Sequence, residues 1–170
     1  MVSGVQLQLK SSLVSLRQKE ENFFGDHSFR FVFYKLFKNN HNFAFQFLVS
    51  GNNLKNSQYL NYIGGLSEVR GYRDGQFYDQ TFYQSNIEHR FDLYHHSWGV
   101  IQAVVFTDQA KEAQTLAKIT ESKDEILLSS GIGLRFISPK IFRFVGRLDY
   151  AQTHTRFVDQ NISFGIQQFF

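Results

Sequence analysis

The sequence predicts an all-β fold, an antiparallel transmembrane β-barrel of eight strands. Three observations carry that prediction. Apolar side chains recur at every second position along most of the chain. Aromatic residues make up 17% of it, against a single proline. The connections between the alternating segments are long and short in turn. Alternation at two residues per repeat marks strands with two unlike faces, and aromatic enrichment suits pleated, half-buried strands.

The segments follow in order. The first spans 5–17, with Val5, Leu7, Leu9 and Leu13 alternating with Gln6, Gln8, Lys10 and Ser12. The second, 28–37, sets Phe29, Phe31 and Phe33 against Arg30, Val32 and Tyr34. The third, 42–50, carries Phe43, Phe45, Phe47 and Val49. Further strands are expected over 76–91, 97–107, 125–137, 141–151 and 160–170, the last with Ile162, Phe164, Ile166 and Phe170 on one side. Each is long enough for a tilted strand to cross a bilayer. The long connections are Gln18–His27, Gly51–Gly75, Asp108–Asp124 and Gln152–Asp159. The short ones are Lys38–His41, Asp92–His96 and Ser138–Lys140. Long loops at one end and tight turns at the other are the asymmetry of an outer-membrane barrel. The only proline, Pro139, falls in a tight turn, where its missing donor does no harm. One stretch, Asp108–Lys123, is rich enough in alanine and lysine to form a short helix or a polar loop.

Composition narrows the function. With 18 basic and 15 acidic residues the net charge is +3, and the basic residues are scattered rather than striped, so nucleic acid is not expected as a partner. There is no cysteine for a disulfide or a thiolate metal site. No apolar run is long enough for a membrane helix, and a mean hydropathy of −0.30 beside so many aromatics means that apolar and polar groups are finely interleaved. Met1–Lys10 shows no signal peptide. Aromatics gather at the short-turn ends: Phe37, Phe43, Phe91, Tyr94, Trp98, Phe136, Phe142 and Phe170. That resembles an interfacial girdle. A soluble, phenylalanine-rich sandwich or barrel is the competing explanation of the same pattern. The histidines His27, His41, His89, His95, His96 and His154 show no metal-binding spacing, and no metal or cofactor is expected. His95 and His96 fall in a short turn beside Ser97, where a surface turn is favoured over a catalytic pair, and the chain is not expected to be an enzyme.

The longest loop carries the most specific signal, Gly64–Gly75, GGLSEVRGYRDG. Its glycines permit positive φ and close backbone approach. Arg70 is a permanent cation with a planar fork of donors, either solvated or folded back onto carboxylates. Val69-Arg70-Gly71-Tyr72 after a glycine pair resembles the signature loop of the BamA/TamA-like outer-membrane assembly and secretion superfamily, also called the bacterial surface-antigen family. Ser85–Phe91, Val104–Asp108, Gly131–Phe136 with Ser138-Pro139, Phe142–Ala151 and Asn161–Phe170 are similar to the strands that follow that loop in the family.

The resemblance implies a loop folded into the barrel, with Arg70 paired to Glu88 and Asp108. Glu88 shares its face with Gln84, Asn86 and Arg90; Asp108 shares its face with Val100, Gln102, Val104 and Phe106. It implies that Phe170 serves as a terminal assembly signal, and that the protein resides in the bacterial outer membrane among lipid and lipopolysaccharide. It further implies work in membrane protein assembly or protein translocation, with client barrel proteins as partners. The family barrel has sixteen strands and usually carries polypeptide-transport-associated (POTRA) domains. Residues 1–170 are expected to form one barrel domain without them, half of the family barrel, closed alone or by homodimerisation through the edge strands. A small structural or ligand-binding barrel without transport activity is the alternative function.

Overall fold

The computed structural model describes residues 3–15, 23–37, 41–53, 60–119, 126–141, 144–155 and 158–166. Among the described residues ten strands are present: β1 Gly4–Ser15, β2 Phe23–Leu36, β3 His41–Asn52, β4 Asn61–Ile63, β5 Phe77–Asp79, β6 Thr81–His96, β7 Gly99–Ala113, β8 Leu127–Ile137, β9 Val145–Thr153 and β10 Gln160–Ile166. Eight of them form one sheet in the order β1-β2-β3-β6-β7-β8-β9-β10, and β4 and β5 form a separate hairpin. Every neighbouring pair in the sheet is antiparallel. The sheet is open: among the described residues β1 and β10 each have one paired side.

The two faces differ as the alternation requires. One face exposes Leu7, Ile87, Val105, Ile132, Leu148 and Phe164. The other, referred to below as inner, buries Gln46, Gln84, Asn86, Glu88, Gln102 and Arg135. A water-soluble sheet would reverse this, burying the oily side and wetting the polar one. Here the exposed large apolar side chains are on the outside, and a barrel wall facing acyl chains requires that inversion.

Three expectations are corrected. The connection expected over Gly51–Gly75 contains the hairpin strand β4, whose partner β5 comes from the start of the segment expected as one strand over 76–91. Asp108–Lys123 is not a helix or a loop at its start. β7 runs on to Ala113, and only Leu116–Ile119 forms a turn of 3-10 helix. Its alanines and lysines favour a helix intrinsically, but Asp108 and Ala110 pair with Asn86 and Gln84 on β6, and the ladder prevails. Asp92–His96 is likewise strand: β6 continues through a register shift between Asp92 and Tyr94, leaving only Ser97 and Trp98 as the turn. Smaller shifts move the start of β2 back to Phe23 and place β9 at Val145–Thr153.

The aromatic band is present at the short-turn end and includes histidines that composition did not single out. His89 stacks on Phe91 with centroids 4.4 Å apart, and His41 meets Phe91 edge-on at 4.9 Å. Tyr94, His96, Trp98, Phe136 and Phe144 continue the row ring against ring. Phe142 and Phe170, expected in the same band, lie outside the described residues.

If the outer face meets lipid, a charge at mid-strand is costly. Val105→Arg, on the exposed face of β7, is expected to lower the unfolding free energy measured in lipid vesicles by about 2–4 kcal/mol. Tyr78→Arg, exposed on the loop hairpin, is expected to change it by less than about 0.5 kcal/mol. Equal small effects would mean that the outer face does not contact acyl chains.

Candidate functional site: the loop arginine and its carboxylates

The segment between β4 and β5 folds onto the inner face of β6–β9. Its own hydrogen bonds close it into a compact turn: the Gly65 N–H donates to the Tyr72 carbonyl (3.2 Å), and the Gln76 N–H to that of Arg73 (3.1 Å). Gly71 is required by two constraints at once. Its φ of +96° is left-handed. A Cβ there would also stand 3.0 Å from the Thr153 Cγ2 and 3.3 Å from the Ala151 Cβ, so the loop lies directly on β9. On either side of it, Val69 and Tyr72 are buried with Ile63, Phe82, Ala110 and Leu127 in an apolar cluster that glues the hairpin to the sheet. The Tyr72 hydroxyl donates to the Thr155 carbonyl (2.9 Å), and its ring meets Phe77 edge-on at 5.4 Å.

Arg70 points into the space beneath. Its Nε donates to Asp108 Oδ2 and its Nη2 to Asp108 Oδ1, each at 2.7 Å, a two-pronged contact. Its backbone N–H donates to the same carboxylate at 3.1 Å. Nη1 donates to Glu88 Oε1 at 2.5 Å. The guanidinium carbon sits 3.5 Å from the centre of the Phe106 ring. The strand register explains the convergence. Glu88 pairs with Phe106 and Asn86 with Asp108, so all four side chains rise from adjacent inward positions on β6 and β7. The ring of Phe106 has room because position 131 is glycine; a Cβ there would lie 2.5 Å from its Cζ.

The site extends beyond the residues that the sequence pattern indicated. Asp149 on β9 is a third carboxylate, 3.9 Å from Arg70 Nη1. It accepts from Arg135 Nη1 at 2.5 Å and from Arg147 Nη2 at 2.6 Å. Arg90 binds the second oxygen of Glu88 at 2.6 Å, and Arg135 approaches the first at 3.3 Å. Arg70, Glu88, Asp108 and Asp149 are all 0% exposed. Four guanidinium groups face three carboxylates, leaving one positive charge in the cluster. On the other flank, the Asn86 amide donates to the Glu68 carbonyl (2.6 Å) and to Asp108 Oδ1 (3.0 Å). Gln84 donates back to its oxygen at 2.9 Å. Arg147 also donates to the Leu66 carbonyl at 3.3 Å. The loop is therefore held through both side chains and backbone, from β6 across to β9.

Asp149 and Arg147 had a sequence signal: they alternate with Gly146, Leu148 and Tyr150, so two charges share one face of a strand whose other face is apolar. Asp108 is in mid-strand on β7 rather than at the start of a loop. Its face, with Val104 and Phe106, is apolar because those side chains pack beneath the arginine. Ser97 Oγ and His96 Nδ1 are 3.3 Å apart at the exposed end of β6. Phe170 lies outside the described residues. Among the described residues no group of three or more metal-ligating side chains occurs.

A curled antiparallel wall with an oily exterior, carrying a glycine-turned loop pinned inside by an arginine, defines a barrel-type membrane protein. The Omp85 superfamily domain matches residues 4–170, and the chain belongs to that superfamily of outer-membrane proteins. No curated protein matches the chain.

Two outcomes follow from this geometry. Removing Arg70 leaves buried Asp108 without its guanidinium partner and Glu88 with only Arg90 and Arg135, and loss of one partner of a buried pair costs about 3–5 kcal/mol. Arg70→Ala is expected to lower the temperature at which the folded form converts on a gel and to open the loop to protease. Arg70→Lys keeps the charge but loses the two-pronged contact, and is expected to fall between. Unchanged heat resistance and unchanged cleavage would contradict the assigned geometry.

The loop carboxyl of Glu68 provides a pH dependence. Burial pushes it up to about 7 from 4.5, and Asp74 adds to the rise against the opposing Gly64 N–H, which donates to Oε2 at 2.8 Å. A carboxyl whose folded value is raised weakens the folded loop when it ionises. The penalty is complete above pH 7 and fades as pH falls towards 4.5. Amide exchange at Gly64–Glu68, corrected for its intrinsic rate, is expected to be slower at pH 5.5 than at pH 8. Glu68→Gln is expected to flatten that difference.

Proposed function

We propose that this chain acts in the assembly or translocation of proteins at the bacterial outer membrane. In this reading β6–β9 and the seated loop are the fixed wall, and the edges β1 and β10 are the working seam. The observation that supports it most is the buried Arg70 held by Glu88 and Asp108, because a loop so fastened to four strands stabilises a wall whose outermost strands have free backbone edges. Lipid, including lipopolysaccharide, surrounds the oily face; unfolded barrel precursors are the clients; a second copy completes the ring, and the seam between copies parts to admit a client strand.

The physical case rests on the edges. In hydrocarbon an unpaired N–H or C=O costs several kcal/mol, so a free edge is tolerated only where it is soon paired. A seam of this kind gives an incoming strand a backbone template, and strand addition needs no conserved side chains on the client.

Purified protein in vesicles is expected to speed the folding of an added unfolded barrel precursor, read as the heat-modifiable band of that precursor. Glu88→Gln with Asp108→Asn is expected to reduce the rate several-fold. Folding of the precursor at the same rate with and without the protein would leave a structural barrel as the better account.

A further inference from the structure

On the basis of the proposed membrane reading, we infer that β10 of one copy pairs with β1 of a second copy in one defined register, Ile162 opposite Leu13, so that two chains form a sixteen-strand ring. Pairing arithmetic and face parity narrow this register. The pairing lines of the sheet connect Gly4, Tyr34, Ala44, Glu88, Phe106, Gly131, Ala151 and Asn161 in succession. A line that starts at the first residue of β1 therefore ends near the first residue of β10, at the opposite rim. Closing the ring requires Asn161 to meet a residue of the next β1 higher up that strand, and the number of positions gained sets the tilt of all the strands.

Face parity restricts the choice. Ile162, Phe164 and Ile166 are exposed on the outer side, as are Val5, Leu7, Leu9 and Leu13. Outer must meet outer, since a slip of one residue would turn every side chain to the wrong face. The gain from Gly4 must then be even. With a rise of about 3.4 Å per residue and a strand spacing of about 4.8 Å, a gain of about eight gives a tilt near 35°, ten near 41° and twelve near 47°. Ten falls within the range of barrel tilts, about 35–45°, and away from its limits. It sets Asn161 opposite Val14, Ile162 opposite Leu13, Ser163 opposite Ser12, Phe164 opposite Ser11, Gly165 opposite Lys10 and Ile166 opposite Leu9. Outer positions then carry apolar or small side chains, and inner positions carry polar or small ones with Val14 at the rim.

Self-closure of one chain would use the same register, so the choice of partner rests on space. Eight strands at that tilt enclose a backbone radius of about 8 Å, which their own side chains fill; sixteen enclose about 16 Å. The inner face already carries a whole loop, four arginines and the Leu66 side chain, whose Cδ2 would stand 2.5 Å from a Cβ at position 165. Only the wider ring accommodates both that loop and its wall. The directions agree as well. The sheet has an even number of antiparallel strands, so β10 and the β1 of an identically oriented copy run antiparallel, and a half-turn about the barrel axis closes the ring.

The test places Ser12→Cys on one tagged chain and Ser163→Cys on a second, co-produced in cells and treated with a short bifunctional thiol reagent. The expected result is a membrane-fraction band of two chains, each of 19.9 kDa, with both tags. Efficiency is expected to drop several-fold when Lys10→Cys replaces Ser12→Cys. A double variant on one chain that cross-links only within itself would overturn the second copy while leaving the membrane function standing. Stronger cross-linking with Lys10→Cys would overturn the register, as would folded, heat-modifiable protein that cross-links with neither. Recovery of the protein in the soluble fraction would overturn both this pairing and the function on which it rests.

Discussion

The structure depends on one constraint: a guanidinium that is cut off from water must be surrounded by carboxylates. Arg70 cannot shed its charge, and none of its side chain reaches solvent. Asp108 answers it with both oxygens, Glu88 with one, and Asp149 stands one shell further out. Glu88 and Asp149 in turn need their own donors, which brings in Arg90, Arg135 and Arg147. Such a cluster contributes little net stability compared with a well-packed apolar core, because desolvation offsets most of the attraction. Its consequence is uniqueness. Any placement of the loop that withdrew Arg70 would leave Asp108 buried without its guanidinium.

That seat explains the inverted character of the sheet. The inner face is too polar to pack against a second sheet, and the loop supplies partners to several of its groups. Asn86 fills the gap between Asp108 and the Glu68 carbonyl, and Arg147 reaches the carbonyl of Leu66. Among the described residues the outer face has no such partner. Its leucines, isoleucines and phenylalanines are continuous from β1 to β10, and the aromatic and histidine rings close the band at the short-turn rim. Polar inside, oily outside and ringed at one edge is the arrangement a bilayer selects.

Much of this was legible in the residues. Period-two alternation located the eight sheet strands, and the glycine-flanked arginine with Glu88 and Asp108 was readable through its resemblance to a family loop. The errors have physical causes. Asp108–Ala113 looked helical because propensity counts alanine and lysine, whereas the chain there is held by its ladder with β6. The β4–β5 hairpin is too short for periodicity to register, and only its packing on Tyr72 and Phe82 reveals it. Asp149 was visible as a charge on a strand, but nothing local indicated that β9 comes round to the same loop. That is a consequence of curl and register, which a linear pattern does not encode.

The same reasoning ties the two ends of the sheet to its centre. The loop is seated across β6–β9, and β10 is the next strand along the sheet. Leu66 makes the link direct: its carbonyl is held by Arg147 on β9, while its side chain lies over Gly165 on β10, the one inner position there without a side chain to obstruct it. A change at the arginine cluster is therefore felt at the edge through a single residue of the loop.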